Sequence, residues 1–358
     1  PLGGYFVDHF SWPYIFYINI PIGIIAAFLT LTYVRSPKFG EKLKASQVDW
    51  WGIALLAGFV GSLQYVLEHG QQDDWFNDRI IKILTLVSSV SFVLFIWREL
   101  NYKHPIVNLR VLKNTNLRVG VIMSFVLGFG LYSSTFIIPI YTQSILCWSA
   151  LNAGLILIPS SITTGFMMPM IGKLIQRGVP QAYMVAAGFL AFFIFSFWMH
   201  NVLTPDTGSE HIFWPLILRG IGLGLLFVPI TTLSLSTLKG REIGEGAAFT
   251  GMMRQLGGSF GIAIITTLIA RLNQVHRVNL ISHLDSTSYA VQQRVTQLQQ
   301  GLMSKGYSFN ESLNKAYKIL EFNVMKQSSV LTYIDIFNYL GLLFLFCIPF
   351  VLLIKKRN

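Results

Sequence analysis

Charge is scarce in this chain of 358 residues: Lys, Arg, Asp and Glu make up 12% of it, against roughly 25% in ordinary soluble domains. That shortage excludes a single water-soluble domain, because too few charged side chains remain to cover a solvated surface. Acid is the scarcer sign, with 16 Asp and Glu against 27 Lys and Arg. The net charge of +11 would suit a nucleic-acid binder, yet such domains cluster their cations on one face, and here apolar runs of about 20 residues separate them. Nucleic acid is therefore not an expected partner. Cysteine is nearly absent: Cys147 and Cys347 stand in separate hydrophobic segments, which excludes a disulfide framework and a CxxC metal site. Enzyme signatures are missing as well. There is no Walker loop, which argues against direct ATP drive, and no GxSxG, HExxH or clustered His/Asp metal pattern. His104, His200, His211, His276 and His283 are expected in loops or at edges, where a solvated histidine needs no special role. Pro13 to Val34 lacks the basic region and the small-residue cleavage site of a signal peptide.

What is present is apolar. Hydrophobic residues make up 53% of the chain, with a mean hydropathy of +0.55, 28 Phe and 30 Gly. Hydrocarbon selects apolar surface and Gly lets helix backbones approach closely, so this composition points to a bundle of membrane helices. A spanning helix needs about 20 mostly apolar residues. Nine complete runs qualify: 13–34, 50–69, 80–97, 118–144, 150–172, 182–203, 213–238, 246–270 and 332–354. Residues 1–6 read as the outer end of a preceding helix, and a chain opening at Pro1 without Met is expected to be an N-terminally truncated fragment. The weak alternation of a membrane β-barrel is absent. The expected fold class is an all-α polytopic membrane protein, embedded in a lipid bilayer.

Orientation follows from Lys and Arg, which short cytoplasmic loops retain. One set of loops carries Arg35, Lys38, Lys42, Lys44; Arg98, Lys103, Arg110, Lys113, Arg118; Lys173, Arg177; Lys239, Arg241; and Lys355, Lys356, Arg357, which is 16 of the 27 basic residues. That side, including the C-terminus, is expected to be cytoplasmic. The opposite short loops, around Asp8, Gln71 to Asp78, Trp148 and Thr204 to Glu210, are rich in acid and carry only Arg79 at an edge. Residues 271–331 hold further cations, but long loops translocate largely regardless of charge. There, Val291, Val295, Leu298 and Leu302 form one helical stripe that Gly306 can end. Ser308 with Glu311 makes a capping box before a second stripe at Leu313, Tyr317, Leu320 and Val324. The pattern predicts an external helical hairpin at about 273–330, packed on the bundle's outer surface or docking a partner.

Leu2-Gly3-Gly4 followed by Asp8, Trp12, Ile15-Phe16, Asn19, Pro21 and Gly23 resembles the fifth-to-sixth helix region of EmrB/QacA-type drug:proton antiporters, the fourteen-helix branch of the major facilitator superfamily. Asp49 and Gly52, Pro105-Ile106-Val107 with Leu109, and Pro139, Gln143, Ala153-Gly154 and Pro159 extend the likeness. Arg254-Gln255-Leu256-Gly257-Gly258-Ser259 with Gly261 is its most specific local match. The resemblance implies that the spans are helices 6–14 of 14. Residues 1–34 would then end the N-terminal six-helix half, 35–117 would hold two extra central helices with cytoplasmic linkers, and 118–358 would be the C-terminal half. It also implies proton-gradient drive without a cofactor, hydrophobic drug-like substrates, a bacterial inner-membrane location, and a periplasmic adaptor of the EmrA type with an outer-membrane channel. Gly172-Lys173-Leu174-Ile175-Gln176-Arg177-Gly178 resembles the superfamily's cytoplasmic Gly-x-Leu-x-Asp-Arg-x-Gly loop, with Gln176 where Asp is usual.

An ionisable side chain inside hydrocarbon is costly and is a functional candidate by default. Arg254 is either a cavity cation that organises gating or coupling, or a structural Arg bonding carbonyls or snorkelling. Arg219, among Gly220, Gly222 and Gly224, is a second gating or coupling candidate, for which structural pairing is the favoured reading. Asp335 and Glu68 fall near external helix ends, where interfacial capping competes with proton carrying. Lys82 suits snorkelling. For substrate contact, Asn19, Phe129, Tyr132, Phe136, Gln143 and Gln255 are the candidates, since a poly-specific cavity combines aromatic walls with a few hydrogen-bonding groups. Phe125, Phe129, Tyr132 and Phe136 share one helix face, and such a stripe is more often helix packing or lipid contact than a ligand wall. Pro139, Pro159, Pro169 and Pro229 are expected to interrupt helices, as in transporters that rock about a central site. Three functions compete: a multidrug exporter, an exporter of one native metabolite, lipid or siderophore on the same fold, and an integral-membrane lipid-modifying enzyme, for which no gathered catalytic residues are evident.

Overall fold

The computed structural model describes residues 2–34, 49–102, 109–285 and 288–354. Pro1, Arg35, Lys38, Lys42, Lys44, Lys103, His104, the Pro105-Ile106-Val107 segment, Lys355, Lys356 and Arg357 lie outside the described residues, as does the side chain of Arg241. Among the described residues there is no strand, and nine segments are long and apolar enough to cross a membrane. They are α2 with α3 (Tyr14–Tyr17, Asn19–Tyr33), α4 (Trp50–His69), α5 (Arg79–Asn101), α6 (Thr115–Ser144), α7 with α8 (Ala150–Leu155, Ile158–Gln176), α9 (Gln181–Val202), α10 (Ser209–Leu235), α11 (Arg241–Ser282) and α13 (Phe309–Ile354). A short α1 (Leu2–His9) precedes them, and α12 (Tyr289–Met303) lies between the last two.

Helix starts follow local chemistry. Asp49, Asp78, Asn114 and Ser149 each accept a bond from backbone N–H groups of the helix they precede, which satisfies donors no helical carbonyl can reach. Two of the nine spans are each divided into two helices. Proline cannot donate to the carbonyl four residues earlier and its ring clashes with it; accordingly Pro21 follows the break at Ile18, and Pro159 follows the break after Leu155. Pro159, in the first turn of α8, thus stands at an interruption as expected, whereas α6, α8 and α10 run unbroken through Pro139, Pro169 and Pro229, against the expectation that these would interrupt them.

Helices α6, α11, α13, α9 and α10 pack in a closed ring, and α8 lies on α10. Lipid is as apolar as leucine, so tight side-chain packing must hold such helices together. Phe189, Phe192 and Phe195 of α9 with Phe337 and Phe344 of α13 are wholly buried, and the rings of Phe192 and Phe344 lie 4.3 Å apart. Helices α4 and α5 form a pair that docks on α11. Arg98 Nε of α5 donates to both carboxylate oxygens of Asp49, at 2.8 and 2.9 Å, closing the basic end of that pair. At the opposite end, Leu151 N donates to Asp8 Oδ2 at 2.8 Å, tying α1 to α7. No residue of α3 is buried, which hydrocarbon surroundings permit.

The two last membrane helices overrun their expected bounds. The 42 residues of α11 make a rod about 63 Å long, twice the roughly 30 Å of a hydrocarbon core. It continues past 270 to Ser282, while α13 begins at Phe309 and not near 332. The second arm of the external hairpin is thus the near end of α13. Its contact face also differs from the expected stripe: Ser312 and Ala316 are buried against α12, with Val295 and Gln299, whereas Tyr317 is exposed. Gly306, at φ +92°, ends α12, and Ser308 and Glu311 bond reciprocally to cap α13.

Candidate functional site

Tyr132, Thr135, Pro139 and Gln143 fall on one side of α6, away from the packed ring. Thr135 and Gln143 are exposed, and Tyr132 and Pro139 half-buried. Tyr132 Oη donates to Gln255 Oε1 of α11 at 2.9 Å. Two of the substrate candidates, 123 residues apart in sequence, thus make one polar pair on the open face. Phe136 is half-buried beside them, and Gln143 donates to its own helix at Pro139 O. Phe125 and Phe129 are not on this wall: Phe125 lies against Phe260, and Phe129 is buried, lining a separate apolar cavity with Ile265 of α11 and Leu340 of α13. Asn19 is exposed on α3, bonded to Ile15 O, and is not brought to this wall.

The Gly-rich stretch of α11 explains how the pair forms. A Cβ at Gly257 would overlap Phe125 O, one at Gly258 the ring of Tyr132, and one at Gly261 Ser133 Oγ; on the facing helix, a Cβ at Gly128 would overlap Arg254 O. The backbones touch because no side chain intervenes. Arg254 lies nearly four turns into α11, which begins at Arg241. Its guanidinium sits 4.4 Å from the centroid of the Phe227 ring on α10, a cation–π contact that links α11 to α10. Among the described residues no carboxylate pairs with it.

Arg219 is buried between α10, α6 and α8. It donates to Ser134 Oγ at 2.8 Å, Ser160 Oγ at 2.9 Å, Leu131 O at 3.3 Å and Thr135 Oγ1. Neutral oxygens satisfy its donors, and among the described residues no acid balances its charge.

Residues 1–262 match the Major Facilitator Superfamily. The chain belongs to the Major Facilitator Superfamily. It is 30% identical to the fatty acid resistance protein FarB of Neisseria gonorrhoeae over 99% of this chain and 68% of that protein. It is 29% identical to the multidrug export protein EmrB of Escherichia coli K12 over 83% of this chain and 58% of the relative, and 26% identical to the colistin resistance protein EmrB of Acinetobacter baumannii over 91% and 64%. The chain thus spans between about half and two-thirds of these relatives. It is a multi-pass membrane transporter chain of this superfamily, similar to EmrB-type permeases, and not an enzyme.

Within the superfamily frame, the loop Gly172, Lys173, Gln176, Arg177, Gly178 is an exposed end of α8. Gly178, at φ +84°, terminates the helix, and no acid pairs with Lys173 or Arg177 among the described residues. Glu68 is exposed in the last turn of α4 and accepts a bond from Gln64. Asp335 does not cap a helix end. It lies well inside continuous α13 and meets His276 Nε2 of α11 at 2.8 Å, beside a bond from Ser328 to Asn273. His276 is therefore not a free surface histidine, and His200 too is engaged, at Ile334 O. These partners went unnoticed in the sequence because 59 and 134 residues separate them. Thr135, Ser134, Ser160 and Phe227 were equally silent, being ordinary membrane-helix residues until an arginine reaches them.

Proposed function

We propose that this chain is the C-terminal portion of a proton-driven permease that exports hydrophobic and amphipathic compounds by alternating access across a bacterial inner membrane, its C-terminus on the cytoplasmic side. The observation that carries this reading is the polar strip on the open face of α6 and α11: the Tyr132–Gln255 pair at 2.9 Å with Thr135 and Gln143 beside half-buried Phe136. A hydroxyl and amides spaced along an apolar wall offer donors and acceptors to ligands of many shapes without fixing one. The wall rests on a rigid ring of helices, as a rocking half must. Arg254, held over Phe227, ties α11 to α10 at the level where such a wall would close, and inward proton flow supplies the drive. The external hairpin, α12 with the near end of α13, is the surface offered to an EmrA-like periplasmic adaptor leading to an outer-membrane channel.

Similarity to FarB, a fatty acid resistance protein, favours a second reading in which the cargo is a native lipid. Expression of the full-length protein in a strain lacking its own exporters distinguishes the two. Raised tolerance to several chemically unrelated toxic compounds is the expected result; protection against a single cargo class alone would replace the multidrug reading with the second.

A further inference from the structure

A different site lies where the turn between α4 and α5 overhangs α11. A cavity of about 660 Å³ opens there, lined by apolar side chains including Trp75, Ile264 and Leu268, with Phe260 at one end of its α11 face and Arg271 at the other. Phe260, Ile264, Leu268 and Arg271 recur every three or four residues and share that face. Eleven residues of helix rise about 16 Å, which matches half of a hydrocarbon core of about 30 Å. The groove therefore runs the depth of one leaflet, from Phe260 in the middle to Arg271 at the hairpin-side surface.

Its mouth carries both signs of charge. Asp74 also lines the cavity, held in place by a turn in which Trp75 N donates to Gly70 O and Trp75 Nε1 to Gln71 Oε1. Its Oδ2 accepts from Asn77 Nδ2 at 2.7 Å, which leaves the negative charge unopposed. Among the described residues neither Asp74 nor Arg271 has an ion-pair partner. A carboxylate amphiphile would meet Arg271 but face like charge at Asp74, and a cationic drug would meet the reverse. A head bearing both signs satisfies both. We infer that this groove binds a zwitterionic phospholipid of the hairpin-side leaflet, its phosphate at Arg271, its ammonium at Asp74 and one acyl chain along Ile264 and Leu268. The lipid bridges the α4–α5 pair to α11, and it is distinct from any cargo on the α6 wall.

The test titrates phosphatidylethanolamine and phosphatidylglycerol into detergent-purified full-length protein and counts bound lipids by native mass spectrometry. Phosphatidylethanolamine is expected to bind about tenfold more tightly, the scale of one charge-assisted bond. Asp74→Asn should erase that preference while sparing phosphatidylglycerol, Arg271→Gln should weaken both lipids, and Ile264→Trp, which fills the groove, should remove both. Equal affinity for the two lipids would overturn the proposal. So would a preference that survives Asp74→Asn and Arg271→Gln, laurate displacing the bound lipid from wild type and Asp74→Asn alike, or unchanged binding in Ile264→Trp, the result expected if other helices of the protein fill the groove.

Discussion

Arg219 and Arg254 carry the same charge into the membrane and are accommodated differently. Around Arg219 every reachable oxygen belongs to Ser134, Thr135, Ser160 or Leu131, so its geometry is fixed by three helices at once. Arg254 rests on one aromatic face and is only half-buried, which leaves it free to move when α10 and α11 part. Arg254→Ala is accordingly expected to cut transport per molecule roughly fivefold, the loss of a half-buried cation–π contact worth about 1 kcal/mol, while membrane abundance falls far less; abundance and transport falling in proportion would make it structural. Asp49 is a different case, at the membrane edge. Its bond to Arg98, outweighing burial, holds the carboxyl below its ordinary range. A depressed folded value means that the stabilisation is complete above the unfolded carboxyl pKa, about 3.9, and disappears as pH falls through the folded value. Asp49→Asn should therefore lower the melting temperature in detergent near pH 7, with the gap closing below about pH 4. A gap that stays constant into stronger acid contradicts this.

Helix by helix, hydropathy was a good guide to which segments cross and a poor guide to where helices end. An apolar run reports the thickness of hydrocarbon, so it marked α11 and α13 only where they are buried in lipid and missed their continuation into the hairpin. The break before Pro159 was signalled by proline, since a ring without N–H cannot continue the preceding turn; the break at Ile18, before Pro21, has the same cause but fell inside a run read as one span. Of the candidate site, Tyr132, Phe136 and Gln143 could be placed on one helix from spacing alone. Their meeting with Gln255 could not, because it depends on how α11 crosses α6. That crossing is set by glycine. Gly257→Ala drives a methyl into Phe125 O and is expected to destabilise the protein by about 1–3 kcal/mol, the range for overpacking. Gly251→Ala, inside α11 with open space around it, should instead raise stability by about 0.5–1 kcal/mol, the ordinary helix preference for Ala over Gly. Equal shifts in the two variants would mean that the α6–α11 contact is not close-packed.

At the scale of the molecule, a ring of helices presents one polar strip, α1 touches α7 on the hairpin side, and two helices reach far beyond the bilayer. Under the proposed function, such a ring moves cargo only as one wall of a chamber whose two walls rock against each other. Coupling to protons is the claim on which the transport reading rests. It is tested most directly by reconstituting the full-length protein into liposomes with its cytoplasmic face outward, adding a fluorescent amphipathic dye outside, and acidifying the lumen. The account predicts dye accumulation in the lumen that collapses when a protonophore dissipates the gradient. The same accumulation with and without the gradient would contradict it.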